Sequence, residues 1–344
     1  MTMPGFVCVT GATGYVGAYV VKEALERGYR VRATVRDPAD ERRTKHLRDL
    51  GRGHDAGALE LVRGDLEDAS SFERALEGVD AVIHTASAVL LTARDPQREI
   101  VEVAVEGARN VVRAAKASPT VRRVVLTSSV SAVTGEDKPS GYVFREGDWN
   151  DTATVKTDAY ATSKVQAERA ARALAAEPGG RPVELVAILP SLVLGPVMTE
   201  QHLRTSPAIL VEIMKGKWPG VPDLVFSVVD VRDLARAHLL ALEKASPAPR
   251  YLATSGSMGL RAMAAALRQE LPGSKVPSLP LPGLLMYATA LFEPRLTFSF
   301  LRQNLGAAPV LDNTLIRRDL GMEFRPPRES VLDTGRSLVD GGWV

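Results

Sequence analysis

Tyr160 and Lys164 stand four residues apart in Tyr160-Ala-Thr-Ser-Lys164, a spacing that puts both on one face of a helix. A phenol with an ordinary pKa of about 10 is a poor acid or base at neutral pH. A neighbouring ammonium, joined by a bound nicotinamide cation, favours phenolate and draws that pKa toward the working range. Such a pair suits proton delivery to a carbonyl oxygen as hydride arrives from a nicotinamide. Lys164 is also expected to hydrogen-bond the nicotinamide ribose. Ser129 ends the run Thr127-Ser128-Ser129 at the carboxyl end of a predicted strand, placed to bind the same carbonyl oxygen. Of seven tyrosines only Tyr160 has a lysine four residues later, so the spacing by itself is a modest signal. Its weight comes from position, on a helix that follows the Ser-Ser pair and precedes another strand.

A hydride donor needs a site. Phe6 to Val9 form a short apolar run, followed by Thr10-Gly-Ala-Thr-Gly-Tyr-Val-Gly17 and an amphipathic helix through Val20, Val21 and Leu25. Gly11 allows a tight turn, Gly14 a close backbone approach to a pyrophosphate, and Gly17 close packing of helix on strand. The helix N-terminus then offers free N–H groups to phosphate oxygens. Thr13, Tyr15 and Val16 complete this candidate cofactor turn.

The second strand, Arg30 to Val35, ends at Arg36. An acidic residue near this point is the usual ribose acceptor for NAD, whereas an arginine suits a 2′-phosphate. Arg36, with Lys45 as a second cation, therefore points to NADP; the competing reading keeps Asp37 as the ribose acceptor. Asp65 and Leu66 follow a third strand, Leu59 to Val62, with Asp65 read either as an adenine contact or as a local turn residue. Thr85, Ala86 and Ser87 follow a fourth strand, Val79 to His84, and their small size leaves room for a cofactor ribose. His84 reads as a packed strand-end residue.

Strands and helices alternate over the first 190 residues, which predicts an α/β fold with a doubly wound parallel sheet. A helix is expected from about Gln97 to Ala117 and another from near Asp158. Between the fifth strand, Val121 to Leu126, and that second helix lies a long loop, 131–158, and loops of that length are usually functional. Residues 1–190 are expected to form the nucleotide-binding domain. Residues 191–344 are expected to form a smaller, mostly helical substrate lobe, with about 230–254 packing back on the first domain.

Net charge is +2 with no basic stripe, which argues against nucleic acid as a partner. The single cysteine, Cys8, falls in the first strand and reads as a core residue. The five histidines lack metal-ligand spacing, so no metal is expected. The absence of a signal-peptide pattern and of a bilayer-length apolar stretch leads to the expectation of a cytoplasmic protein without a membrane partner.

With TGATGYVG, TSS, YATSK and Val229-Asp-Val-Arg-Asp-Leu-Ala-Arg-Ala-His238 in view, the chain resembles the extended short-chain dehydrogenase/reductases. It is most similar to their dihydroflavonol-4-reductase-like branch, which includes cinnamoyl-CoA and anthocyanidin reductases and microbial aldehyde and ketone reductases. Gly147-Asp-Trp-Asn-Asp151, Leu194-Gly-Pro196 and Leu320-Gly321 extend the likeness over nearly the whole chain. The resemblance implies a Rossmann fold, NADPH held with help from Arg36-Asp-Pro38 and Lys45, and a Ser129, Tyr160 and Lys164 triad. It also implies that the backbone of Pro190 and Ser191 meets the nicotinamide amide. The chain departs from the pattern at Ala104, where many members carry a relay asparagine. At Thr134 the plant flavonoid enzymes carry an asparagine, and the NWYCY signature of cinnamoyl-CoA reductases is missing.

These features point to an NADPH-dependent reductase of aldehydes or ketones, monomeric or homodimeric, with an apolar pocket near Leu90, Leu91, Leu192 and 201–210. An epimerase, a dehydratase or a 3β-hydroxysteroid dehydrogenase on the same fold is the alternative, and Arg36 counts against their usual NAD. A non-catalytic NADP(H) sensor is the reading from another class; the presence of Ser129, Tyr160 and Lys164 together counts against it.

Overall fold

The computed structural model describes residues 5–87, 93–139, 141–244, 246–290 and 298–344. The strands are β1 (Phe6–Thr10), β2 (Arg30–Val35), β3 (Leu59–Arg63), β4 (Ala81–His84), β5 (Arg123–Thr127), β6 (Val143–Phe144) and β7 (Glu184–Pro190). They continue as β8 (Leu192–Leu194), β9 (Val221–Pro222), β10 (Val225–Asp230), β11 (Arg250–Ala253), β12 (Gly256–Gly259), β13 (Pro280–Leu281) and β14 (Val310–Leu311). Seven of them form one sheet in the order β11-β7-β5-β4-β1-β2-β3. All its pairings are parallel. This is the doubly wound arrangement expected, and its order reverses between β1 and β4, where open α/β sheets bind ligands.

Helices cover both faces because the buried strands present apolar residues on both sides. On one face lie α1 (Tyr15–Glu26) and α2 (Glu41–Gly51), together with α7 (Val231–Glu243). Their core joins Val7, Val9, Val20, Leu25, Leu47 and Leu234. On the other lie α3 (Ala69–Ala75), α4 (Val103–Ala117) and α5 (Val155–Ala176), around Phe72, Val82, Val111, Val124 and Ala171. Each fully buried side chain of this size contributes roughly 1.5–3 kcal/mol. Cys8 lies in the second core, and burial pushes its thiol up to about 12.

The remaining helices are α6 (Ala208–Met214), α8 (Leu260–Glu270), α9 (Gly283–Thr289), α10 (Phe298–Asn304), α11 (Thr314–Leu320) and α12 (Pro327–Asp340). A three-stranded sheet, β12-β10-β8, packs with α6, α8 and α12 around Leu210, Ile213, Met263, Leu267 and Val331. This smaller unit is tied to α1, since the Tyr15 hydroxyl donates to the Gly195 carbonyl at 2.8 Å and that of Tyr19 to Pro196 at 2.9 Å.

Three local features differ from the sequence expectation. The helix expected from Gln97 opens with a π-helical stretch, Gln97–Glu102, and becomes α-helical at Val103. Apolar periodicity does not separate those windings over a single turn. The helix expected near Asp158 starts at Val155, capped by Thr154 and Thr157, and breaks at Asp158, which has φ −158° and ψ 88°. The Asp158 carboxylate then takes the Ala161 N–H at 2.9 Å and restarts the helix. Finally, the segments that return to the main sheet include α11 besides the expected α7 and β11. Ile316 and Leu320 of α11 enter the core beside α1 and α7.

Candidate active site

The turn after β1 is shaped by what a Cβ would strike. Gly11 has φ +69°, and a Cβ there would lie 2.6 Å from the Ala86 Cα. A Cβ on Gly17 would collide with the Gly11 carbonyl and sit 2.8 Å from the Thr85 hydroxyl. Gly14 is different: it is exposed, and its Cβ would meet only the Gly11 carbonyl, at 3.2 Å. Space therefore opens above Gly14, beside the start of α1. That helix has neither a side-chain cap nor an acid in its first turn, so its positive end is not neutralised. An uncapped helix start under an open glycine is the cradle a dinucleotide diphosphate requires, and Thr13 and Val16 border it. Tyr15 is buried instead, reaching Gly195.

Arg36, just past β2, is exposed and makes no hydrogen bond or ion pair with the described residues. Asp37 takes the Ala39 N–H at 2.9 Å, a local turn bond. Lys45 on α2 is paired with Asp49 at 2.5 Å. Arg36 is thus the cation free to meet a 2′-phosphate, and Lys45 would have to exchange its partner. Asp65 takes the Glu67 N–H at 3.2 Å, and the Leu66 carbonyl accepts from the Asn110 amide at 2.9 Å. That anchors the turn after β3 to α4. The Thr85 hydroxyl donates to the Thr10 carbonyl at 2.7 Å, fixing the end of β4 to the end of β1. Pro190 ends β7, and the Ser191 N–H bonds the Ala253 carbonyl at 3.1 Å, so this pair lines the sheet's carboxyl edge.

Ser129, Tyr160, Lys164 and Ser87 come together at this edge. Ser129 is 5% exposed and its hydroxyl caps a short turn by accepting the Ser131 N–H at 3.2 Å. Tyr160 stands in the first turn of the restarted helix, with its phenol near the Ser129 hydroxyl. One turn on, Lys164 Nζ donates to the Ser87 hydroxyl at 3.1 Å and lies 5.7 Å from the Tyr160 ring centroid.

Burial raises the Tyr160 phenol above its ordinary pKa, the Ser129 hydrogen bond opposes this, and the Asp158 carboxylate adds to it. With 39% of Tyr160 exposed, water in the cleft moderates the effect of burial. Lys164 is not among the groups that shift Tyr160, so the expected lowering does not arise from the ammonium alone. Burial pushes Lys164 itself down to about 8, with the Glu168 carboxylate pulling it back up.

His84 is buried, its Nδ1 2.6 Å from the Thr10 hydroxyl, as suits a packed strand end. Ala104 is buried on α4 and offers no polar side chain, while the Thr134 hydroxyl donates to the Val130 carbonyl at 3.2 Å. Leu192 is partly buried on β8; Leu90 and Leu91 lie outside the described residues. Sequence reasoning missed Glu168, four residues after Lys164 and buried. Its signal was a lone carboxylate on the Tyr160–Lys164 face of an alanine-rich helix. A separate cavity of about 330 Å³ opens at the opposite, amino-terminal edge of the sheet, around Phe6, Asp80 and Glu184. Its carboxylates are already engaged, Asp80 by the Phe6 N–H at 2.8 Å and Glu184 by Arg123 at 2.5 Å. Among the described residues no helix is long and apolar enough to cross a membrane.

Comparison with known proteins agrees with this fold. The model of the NAD dependent epimerase/dehydratase family matches residues 7–252. Tetraketide alpha-pyrone reductase 1 of Arabidopsis thaliana is 34% identical over 99% of this chain and 97% of its own length. Cinnamoyl-CoA reductase 1 of Oryza sativa subsp. japonica is 39% identical over 94% of this chain and 88% of its own. Among solved structures, Gre2 from Candida albicans in complex with NADPH superposes with a TM-score of 0.81 at 28% identity, covering 98% of this chain and 99% of that one.

Proposed function

The chain belongs to the NAD dependent epimerase/dehydratase family and is an NADP-dependent oxidoreductase of its extended short-chain branch; we propose that it reduces an aldehyde or ketone to an alcohol with NADPH. The observation that carries this reading is the convergence of Ser129, Tyr160 and Lys164 on the carboxyl edge of the sheet that also bears the open glycine turn.

NADPH, when bound, supplies the hydride. The α1 N-terminus and the backbone at Gly14 would hold its diphosphate, with Thr13 and Val16 beside it. Arg36 would hold the 2′-phosphate, and Lys45 would add charge once released from Asp49. Asp65 and Leu66 would serve the adenine end, Thr85, Ala86 and Ser87 the riboses, and Pro190 and Ser191 the nicotinamide end. Ser129 donates to the carbonyl oxygen of the substrate and orients it. Tyr160 gives that oxygen its proton as negative charge develops there. Lys164, on the same helix face and joined by the nicotinamide's positive charge once hydride has left, would favour the phenolate left behind, and its ammonium, held at Ser87, would hydrogen-bond the nicotinamide ribose. Residues beyond 190 would face the substrate as a smaller lobe, with partly buried Leu192 of β8 at its edge; His202 and Leu210 of the 201–210 stretch are instead buried, against Tyr15 and His46 and in the core of the smaller unit.

The test is NADPH and NADH oxidation by purified protein against aryl and alkyl aldehydes, ketones and keto esters, with Tyr160→Phe alongside. Turnover with NADPH that vanishes in Tyr160→Phe is the expected result. NADPH turnover that survives in Tyr160→Phe removes Tyr160 as proton donor.

A further inference from the structure

Glu168 follows Lys164 by one turn of α5, and its side chain is fully shielded from solvent. A carboxylate in that position is costly unless paired. It is paired on three sides. The Ser128 hydroxyl donates to Oε2 at 2.6 Å. Arg250 Nε lies 2.8 Å from Oε1, and Arg172 Nε donates to the same oxygen at 3.0 Å. Arg250 in turn stacks 4.0 Å from the Trp149 ring centroid and donates to the carbonyls of Glu146 and Asp148 at 2.5 and 2.7 Å.

One carboxylate thus joins the end of β5 beside Ser129, the helix of Tyr160 and Lys164, and the 146–149 stretch of the long loop. Buried ion pairs of this kind are often no more stabilising than apolar residues of the same volume. Stability alone gives weak reason for a charge here, whereas the alignment of three separate segments gives a strong one.

We propose, building on the reductase reading above, that Glu168 is a positioning residue of the reaction: through Ser128 it sets the strand end that carries Ser129 against the helix that carries Tyr160 and Lys164, and through Arg250 it sets the adjoining loop. Loss of the Ser128 bond frees Ser129 to drift relative to the Tyr160 phenol. A displacement of about 1 Å in such a constellation costs up to about a hundredfold in rate.

Ser128→Ala is the decisive variant, because it removes one hydroxyl and leaves both arginines paired. Its melting temperature is expected to fall by a few degrees at most, for the loss of one buried hydrogen bond, and its NADPH affinity by fluorescence to stay near wild type. Its kcat is expected to fall about tenfold or more, with the KM for the carbonyl changed by less than about twofold. Glu168→Gln is expected to lower kcat further, and Glu168→Asp to recover part of the loss. A readout independent of turnover is the 13Cζ resonance of Tyr160 in the cofactor-free protein, assigned with Tyr160→Phe; it is expected to move in Ser128→Ala. A Ser128→Ala protein with wild-type kcat and an unmoved Tyr160 resonance overturns the proposal. So does a Glu168→Gln protein whose only defect is a lower melting temperature. A wild-type chain that fails to bind NADPH overturns the reductase reading, and the tyrosine resonance still decides the role of Glu168.

Discussion

Lys164 Nζ and the Ser87 hydroxyl meet at 3.1 Å, which pins the middle of α5 to the end of β4. The same strand end touches the glycine turn, where Gly11 leaves 2.6 Å between its absent Cβ and the Ala86 Cα. The proposed proton donor and the proposed hydride site are therefore referenced to one short stretch, Thr85 to Ser87. A relative shift of the two would have to break either a partly buried hydrogen bond or a backbone contact.

Tyr160→Phe is expected to lower kcat by about 10²–10⁴-fold, the usual worth of a positioned general acid. NADPH binding, measured by fluorescence, is expected to change little, because the phenol ring is kept. A comparable loss in both quantities would place Tyr160 in binding and not in proton transfer.

Arg36→Asp is expected to move cofactor preference from NADPH toward NADH. The guanidinium is exposed and unpaired among the described residues, and an aspartate there repels a 2′-phosphate and accepts from a ribose hydroxyl. The ratio of kcat/KM for the two cofactors is the measurement, and an unchanged ratio would remove Arg36 from the 2′-phosphate site.

Gly17→Ala sets two effects against each other. Alanine improves helix propensity by about 1 kcal/mol over glycine. Its Cβ strikes the Gly11 backbone carbonyl, which has no rotamer to give way. Overpacking of this kind costs about 1–3 kcal/mol, so net destabilisation is expected in a denaturant melt, together with weaker NADPH binding as the turn is displaced. Wild-type stability would show that the turn yields.

Lys164 is held down to about 8, first by burial and against the pull of Glu168. Its ammonium is present below that pH and lost above it. NADPH affinity is expected to be level at lower pH and to weaken as the pH rises through about 8. Lys164→Met is expected to bind more weakly and to lose that dependence, which titration of the dissociation constant against pH checks.

His84 and His202 are held down to about 3 and His238 to about 4, each chiefly by burial. Their ordinary value is 6.5, so on acidification the unfolded chain takes up protons before the folded one. Stability present above pH 6.5 is expected to decline as the pH falls toward 4. Urea melts at pH 7 and pH 5 test the sign; equal midpoints would contradict it.

The main sheet was legible because parallel strands buried on both faces read as continuous apolar runs, such as Val7 to Val9 and Leu185 to Leu189. The glycine turn and the Tyr160–Lys164 pair were legible because their spacing is short and local. What escaped was closure between distant segments. An arginine opening a strand-like stretch at Arg250 carries no mark of a partner on a helix at Glu168 or of a serine at Ser128. The start of α5 was ambiguous because Thr154 and Asp158 are both good caps, and the chain uses both. Ile316 and Leu320 fall in the stretch expected to be a mostly helical separate lobe; only the packing shows that they complete the first core.

The pairing of β6 with β14 bears on the order in which the protein is made. Phe144 of the long loop receives its parallel partner Leu311, and the bond from the Asp312 N–H at 2.9 Å, only when the last part of the chain has left the ribosome. The sheet strands through β7 precede it and hold most of their contacts among themselves. A nascent chain can therefore close its nucleotide fold while the loop that flanks the proposed catalytic groups still lacks its partner strand. Contacts of such long sequence separation form late, after the loop-closure entropy has been met. The strand that braces the loop thus arrives from the chain's end, together with Ile316 and Leu320, which complete the core beside the main sheet.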